Sequence, residues 1–502
     1  MVGIGLLFAA AGMAVSAVIE AADGGGEIPA LAAATAVTGV AGTALWRATR
    51  VPAQVSAAAT FAAVAWTWIL VSAFGALPYL FSGLLPNPDD ALFEAVSGFT
   101  GTGSTIVFPL EEQSLGMLFW RQLTQWYGGM GMIVLAVAVL PFLGVGGLEL
   151  IRAEAPGETA DRLAPRVSGT AKRLWLVYAG LTMAVAAGLL LTGDMAPKGG
   201  GAGRHLFDAV GHAFTTLATG GFSPYDTSIN AFASVKVEAV LIVGMVLGGM
   251  NFTLHWRAAR GDAGVYWRSS EVRVFLAMLV VATAALTVVN LVDDDSIGRA
   301  VRDSAFVATS MGTTTGFGTA DFSTWLPSGQ LIVLYLMLVG GMVGSTSGGM
   351  KVFRVRIMVA HAWRELRRAR HARGVMVIKV GRTAIPEGIV GRVAGFVLLY
   401  LLLVAGGVLA LGALGADVPT AIGSVATTIG CGGPGLGETG PASNFLTLAR
   451  PARGVLMVLM LFGRLEIFPL LLMFAVFRRP GALRRRRDRS GNRRSPQAAW
   501  SG

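Results

Sequence analysis

Cysteine is all but missing from this chain: Cys431 is the only one in 502 residues. An internal disulfide and any multi-cysteine metal site are thereby excluded. Histidine is scarce too, and the five present do not fall at a spacing that sets two imidazoles on one helical face, so packed or solvated rings are expected rather than metal ligands. Charged residues make up only 14%, and no nucleophile, base and acid stand out as a set, which argues against an enzyme. What fills the chain instead is apolar: 54% hydrophobic residues and a mean hydropathy of +0.63, far above what a soluble domain of this size requires. The 68 glycines follow no collagen-like period. Such composition reads as an integral membrane protein in which glycine lets helices pack closely and lets backbone line a cavity.

A membrane helix needs about 20 mainly apolar residues. On that criterion spans are expected near 3–20, 28–46, 54–80, 116–146, 171–193, 231–256, 272–292, 328–360, 388–414 and 453–477, ten crossings in all. Met1 to Val18 lacks the basic start of a signal peptide and is followed directly by a second apolar segment, so it reads as a retained helix. After the first two spans the remaining eight form pairs. Each pair brackets a segment too short and too rich in Gly and Thr to cross: Thr100-Gly101-Thr102-Gly103, Ala218-Thr219-Gly220-Gly221, Thr313-Thr314-Thr315-Gly316 and Gly430-Cys431-Gly432-Gly433. Taking Gly103, Gly220, Gly316 and Gly433 as reference points, the separations are 117, 96 and 117 residues, which suggests a fourfold internal repeat.

Asp90, Asp208, Asp303 and Thr420 stand 13, 12, 13 and 13 residues ahead of those glycines and are read as N-caps of four short helices. About 10 residues between cap and loop would span about 15 Å, half the hydrocarbon thickness. Basic clusters at Arg47 to Arg50, Arg152 to Arg173, Arg257 to Arg273, Arg354 to Arg382 and Arg478 to Arg494 all lie between pairs or after the last one, so those connections are read as cytoplasmic and the half-helices as opening outward. The outward side carries Asp89, Asp90, Glu111, Glu112, Asp226, Asp293 to Asp295, Asp321 and Asp417, with Lys198 and Arg204 as exceptions. The net charge of +11 is thus mostly topological, and the Arg484 to Arg487 run reads as a membrane-surface or disordered segment rather than a nucleic-acid site.

Irregular backbone at membrane depth is tolerated only where protein buries it or it lines a wet cavity. Four such loops around one axis would line a pore, and glycine at φ > 0 would turn carbonyl oxygens toward a cation that has shed its water. Half-helices ending at the loops would add their negative ends, each contributing about 0.3–1 kcal/mol. No loop holds a carboxylate, which favours a monovalent over a divalent cation. Two glycine motifs are decoys. Gly435-Leu436-Gly437-Glu438-Thr439-Gly440 has no strand ahead of it, and the run ending at Lys351 is followed by Val352 rather than a hydroxyl, so neither is a nucleotide site. Cys431 reads as a small loop residue.

The pattern resembles the superfamily of potassium transporters that includes the bacterial TrkH and KtrB and plant HKT proteins. The marks are Ser97-Gly98-Phe99-Thr100-Gly101-Thr102-Gly103, Gln125-Trp126-Tyr127-Gly128-Gly129-Met130-Gly131, Ala218-Thr219-Gly220-Gly221-Phe222-Ser223, Gly344-Ser345-Thr346-Ser347-Gly348-Gly349-Met350-Lys351 and Gly463-Arg464-Leu465-Glu466. Two additional N-terminal spans bring it nearer the TrkH type. The resemblance implies an all-α fold of four helix, half-helix, loop, helix units around one pore, divided here as 1–50 for the extra helices, 51–150, 151–260, 261–382 and 383–478 for the pore units, and 479–502 for a basic cytoplasmic tail. It further implies potassium uptake across the bacterial inner membrane, with potassium ions held by Thr100, Gly101, Thr102, Gly103, Ala218, Thr219, Gly220, Thr314, Thr315, Gly316, Gly430, Cys431, Gly432 and Gly433, and no covalent cofactor. Glycine at all four reference points implies potassium over sodium. Gly101 stands where Thr is commoner and Gly430 to Gly433 replaces an Asn-containing stretch, which keeps open a sodium-permeable or poorly selective channel; an ion-coupled carrier is a further alternative.

The span from Leu331 to Arg356 is interrupted by Gly340-Gly341 and by Gly344, Ser345, Thr346, Ser347, Gly348 and Gly349, with Lys351 close behind. A kink at close packing is one reading; the resemblance implies instead an intramembrane loop that blocks the pore below the filter. Arg464, mid-span, either projects into the pore and holds that loop closed or forms a local ion pair with Glu466 or another carboxylate. The resemblance also implies a homodimer on a cytosolic ring of nucleotide-binding subunits, for which Arg257 to Arg273 and Arg364 to Arg373 are candidate docking loops.

Overall fold

Apolar sequence becomes helix almost throughout the computed structural model, which describes residues 1–49, 57–138, 163–195, 201–292, 296–370, 376–381 and 383–477. Among the described residues, six helices are each long and apolar enough to cross a membrane: Val2–Asp23, Ile28–Ala48, Ala59–Phe81, Gly169–Thr192, Ser270–Val292 and Glu387–Ala413. Leu115–Ala138 adds a 24-residue helix, about 36 Å at 1.5 Å per residue. The first two helices form an antiparallel hairpin turned by Gly24 at φ 76°, and they meet at glycines, since a methyl on Gly3 would lie 2.6 Å from the Trp46 amide nitrogen. Buried Glu20 ties this hairpin to the first pore unit by accepting the Gly116 N–H at 2.8 Å.

The other three expected spans are broken rather than continuous. Val235–Gly249 and Phe252–Ala259 meet at 105°, because Met250 is extended and Asn251 restarts the helix by accepting the Thr253 N–H at 2.8 Å. Pro327–Val339 stops at Gly340, φ 70°, and helix resumes only at Val352–Arg370. Arg450–Arg464 ends at Leu465 and Phe468–Phe477 continues it, with Glu466 and Ile467 both left-handed. Each break frees carbonyls that a continuous helix would consume, and the loop 340–351 uses two of them: Met342 N–H donates to Gly249 O at 2.9 Å and Thr346 N–H to Gly248 O at 3.3 Å.

Four pore helices sit inside this shell: Pro88–Thr100, Ala202–Leu217, Ile297–Gly312 and Val418–Gly430. At 13 or 16 residues they run about 20–24 Å, longer than the sequence spacing suggests. Their N-caps are Asn87, Gly201, Ser296 and Asp417. Asp90, Asp208, Asp303 and Thr420 therefore do not cap; they occupy equivalent positions one or two turns inside. Asp90 pairs with Arg453 at 2.7 Å, Asp208 accepts the Tyr225 hydroxyl at 2.6 Å, and Thr420 donates its own N–H to the true cap, Asp417, at 3.1 Å. A two-residue antiparallel ladder, Lys379–Val380 with Thr383–Ala384, forms a small hairpin before Glu387–Ala413. Arg50, Lys198, Asp293 to Asp295, Arg373, Arg382 and the tail from Arg478 onward lie outside the described residues.

Candidate functional site

The four pore helices end alike. Thr102, Gly220, Thr315 and Gly432 each donate their N–H to a carbonyl five residues back, on Ser97, Thr215, Ser310 and Thr427, at 2.9, 2.8, 2.7 and 2.9 Å. The residue before each donor is left-handed: Gly101 at φ 66°, Thr219 at 50°, Thr314 at 57° and Cys431 at 53°. This is the Schellman closure of a helix C-terminus, repeated four times. The residue after each donor is left-handed again: Gly103 at 84°, Gly221 at 79°, Gly316 at 87° and Gly433 at 86°. Left-handed residues alternating with one that is not left-handed let successive carbonyls face the same side, which extended chain cannot do.

Two departures in the loop sequences resolve on this geometry, and one register moves. Gly101 and Cys431 differ from Thr219 and Thr314 in side chain but share their backbone conformation. The glycine equivalent to Gly103, Gly316 and Gly433 is Gly221, not Gly220, because Gly221 alone of the two is left-handed. Two adjacent glycines offer no way to choose between them in the sequence.

The loops close a ring. A methyl on Gly103 would overlap the Gly220 carbonyl and lie 3.4 Å from Gly433 Cα; one on Gly221 would overlap the Thr315 carbonyl; one on Gly316 would lie 2.7 Å from Gly432 O. Loop one thus touches two, two touches three, three touches four, and four touches one. Above the ring opens a cavity of about 520 Å³ whose lining includes Gly103, Gly221, Gly316, Gly433, Asp226 and Asp321. The carboxylates put negative charge at this mouth, although the Asp226 Oδ1 also accepts the Leu110 N–H at 2.9 Å.

Polar residues on Leu115–Ala138 brace the ring from behind. Gln125 donates Nε2–H to Gly220 O at 2.7 Å and accepts the Phe222 N–H at 3.0 Å. Arg121, 1% exposed, pairs with Glu94, fully buried, at 2.8 Å, and donates to Ser223 O at 3.2 Å and Thr105 Oγ1 at 3.0 Å. Ser104 Oγ donates to Gly433 O at 2.9 Å. Sequence reasoning misses Arg121, Gln125, Glu94 and Ser104 as site residues; a Gln and an Arg on one side of an otherwise apolar span are the available signal. His212 is packed, its Nδ1 2.7 Å from Asp208 O and its Nε2 3.1 Å from Ser223 Oγ. Among the described residues no cluster of His, Cys, Asp and Glu could hold a metal. The decoy glycines 435–440 form a turn on which Gly435 N–H donates to Thr439 O at 2.7 Å.

Below the ring lies loop 340–351. Thr346 donates its hydroxyl toward Leu217 O at 2.8 Å and Gly248 O at 3.0 Å, Gly348 N–H donates to Thr314 Oγ1 at 2.7 Å, and a methyl on Gly348 would overlap the Gly430 carbonyl. Ser345, Thr346 and Ser347 are buried, and Lys351 turns its ammonium onto Ser347 O. Arg464, 1% exposed, donates Nη1–H to Thr346 O at 2.7 Å and approaches loop one, where a methyl on Gly101 would sit 3.5 Å from Nη2. The local pair with Glu466 does not form; Glu466 takes Arg354 instead. Two of the Arg464 nitrogens, Nε and Nη2, have no hydrogen-bond partner among the described residues.

Comparison with known proteins agrees with this architecture. The TrkH family model, described as cation transport protein, matches residues 27–484. The Trk system potassium uptake protein TrkH of Salmonella typhimurium is 40% identical over 437 residues, covering 86% of this chain and 87% of that protein. TrkI of Halomonas elongata, also named a Trk system potassium uptake protein, is 37% identical over 443 residues, 87% of each. The crystal structure of the potassium transporter TrkH from Vibrio parahaemolyticus matches with a TM-score of 0.85 at 35% identity, over 94% of this chain and 97% of that one. This chain belongs to the TrkH family of cation transport proteins, as a multi-pass membrane transporter and not an enzyme.

Proposed function

We propose that this chain carries out potassium uptake across the bacterial inner membrane, through a filter made of its four loops. The observation that carries the reading is the closed ring of left-handed Gly103, Gly221, Gly316 and Gly433 beneath the outer cavity. Carbonyls from Thr100 to Gly103, Ala218 to Gly221, Thr314 to Gly316 and Gly430 to Gly433 replace the hydration shell of a monovalent cation. The membrane potential drives the ion inward at about 2.3 kcal/mol per charge per 100 mV. Loop 340–351 is the gate, with Lys351 and Arg464 placing positive charge on the path, and the present arrangement is the closed one. A homodimer docked on a cytosolic nucleotide-binding ring completes the system; the relatives' names, as parts of a Trk system, support partners of some kind.

Flux of labelled rubidium into proteoliposomes, competed by potassium and by sodium, tests the reading. Potassium competes and sodium does not if it is right; equal competition would sink it. Arg464→Ala raises that flux, and an unchanged flux would remove Arg464 from the gate.

A further inference from the structure

Loop 340–351 is gripped from two sides. Met342, Thr346 and Gly348 donate their amides to Gly249 O, Gly248 O and Thr314 Oγ1, all parts of the pore wall. Val343 does not: its N–H donates to Glu271 Oε1 at 3.1 Å, from the first turn of Ser270–Val292, the end that the basic residues mark as cytoplasmic. The neighbouring Ser270 Oγ accepts from Arg356 Nη1 and Nη2, each at 3.4 Å, on the helix that leaves the loop. Ser270 also abuts the hairpin turn, since a methyl on Gly381 would lie 2.8 Å from its hydroxyl oxygen. Val343 itself is 4% exposed and packs in one apolar cluster with Phe353, Ile357 and the hairpin residues Ile378 and Ile385. One dipeptide therefore touches the loop, its exit helix and the hairpin at once.

We infer that Ser270 and Glu271 form a relay that carries displacement of the basic segment 257–269 and of the hairpin to the intramembrane loop, with Glu271 as a positioning residue that holds Val343 in the closed arrangement. The inference rests on the reading of 340–351 as the gate. Physically, a buried amide must keep a partner, so movement of the loop away from its present place is opposed until Glu271 moves with it or another acceptor takes the Val343 N–H. Because Glu271 closely follows the segment bearing Arg257, Arg260 and Arg268, a partner bound there pulls on the carboxylate through a short stretch of chain. Val343 is next to Gly344, φ 76°, a residue with the backbone freedom to hinge.

Single-channel recording of the full chain in planar bilayers under potassium tests this. Glu271→Met removes the acceptor and raises open probability roughly fivefold, the factor one net hydrogen bond supplies, with unitary conductance and the potassium-to-sodium permeability ratio unchanged. Glu271→Gln, which keeps an acceptor oxygen, stays near the parent. Ser270→Ala gives a smaller rise in the same direction and decides the matter if Glu271→Met does not fold. Arg464→Ala, run alongside, reports on the gate itself. If it raises open probability while Glu271→Met and Ser270→Ala do not, the relay is overturned and the gate stands. If none of the three moves it, the gate falls and the relay with it. Equal rises in Glu271→Met and Glu271→Gln, or altered conductance or selectivity, mean general loosening and also overturn the relay.

Discussion

Gly221 differs from Gly220 by one position in the chain and by the sign of φ. A side chain at Gly221 incurs the left-handed penalty of about 1–2 kcal/mol and meets the Thr315 carbonyl, backbone that cannot swing aside. At Gly220, which is not left-handed, the added methyl meets a side chain rather than backbone, that of Gln125, at the cost of the bonds Gln125 makes to Gly220 O and the Phe222 N–H. Gly221→Ala is therefore expected to cut rubidium flux by roughly tenfold or more, and Gly220→Ala by less; the reverse order would restore the register read from the sequence. Gly316→Ser adds an oxygen where a substituent comes within 2.7 Å of Gly432 O, and the potassium-to-sodium permeability ratio is expected to fall. Cys431 shows the same logic in a permissive case. It is left-handed yet fully buried, and its small side chain is what that crowded position admits.

Elements act here through the carbonyls they leave unpaired. Three apolar segments that hydropathy reads as continuous spans are instead broken, and the breaks at Gly249 and Gly340 are complementary, one providing acceptors and the other the loop that uses them. Leu115–Ala138 has the opposite task, running unbroken and presenting Arg121 and Gln125 to two loops. Removing one member of a buried ion pair costs about 3–5 kcal/mol. Arg121→Met leaves Glu94 fully buried without its cation, so the detergent-solubilised protein is expected to unfold at clearly lower temperature in a thermal-shift assay followed by size exclusion. Flux lost without any fall in melting temperature would instead make Arg121 a functional and not a structural brace.

At the scale of the whole molecule, a ring built from one chain must be sewn shut where its last unit meets its first. Asp90 on the first pore helix and Arg453 on Arg450–Arg464 make that seam at 2.7 Å with side chains 8% and 7% exposed, and Ser104 to Gly433 adds a loop-to-loop bond. Glu238 and Arg302 join units two and three in the same manner at 2.6 Å, but there the arginine is 39% exposed. Solvent weakens the second pair. Arg453→Ala is accordingly expected to lower thermal stability more than Arg302→Ala; equal losses would show that closure does not concentrate at the terminal seam.

Membrane residence, all-helical class and the four recurring loops were legible in the chain, because each follows from local quantities: apolar run length, and Gly and Thr between runs. Hydropathy could not show the broken spans, since a break leaves composition unchanged and is stable only when a distant segment satisfies its freed backbone. Nor could spacing show the caps, as Asp90, Asp208, Asp303 and Thr420 recur at equivalent depth without initiating the helices. The choice of Gly221, the assignment of Arg354 rather than Arg464 to Glu466, and the hold of Glu271 on Val343 were decided only by tertiary structure. Each depends on which backbone group, from residues far apart in sequence, comes within hydrogen-bonding or van der Waals reach, and no local pattern encodes that distance.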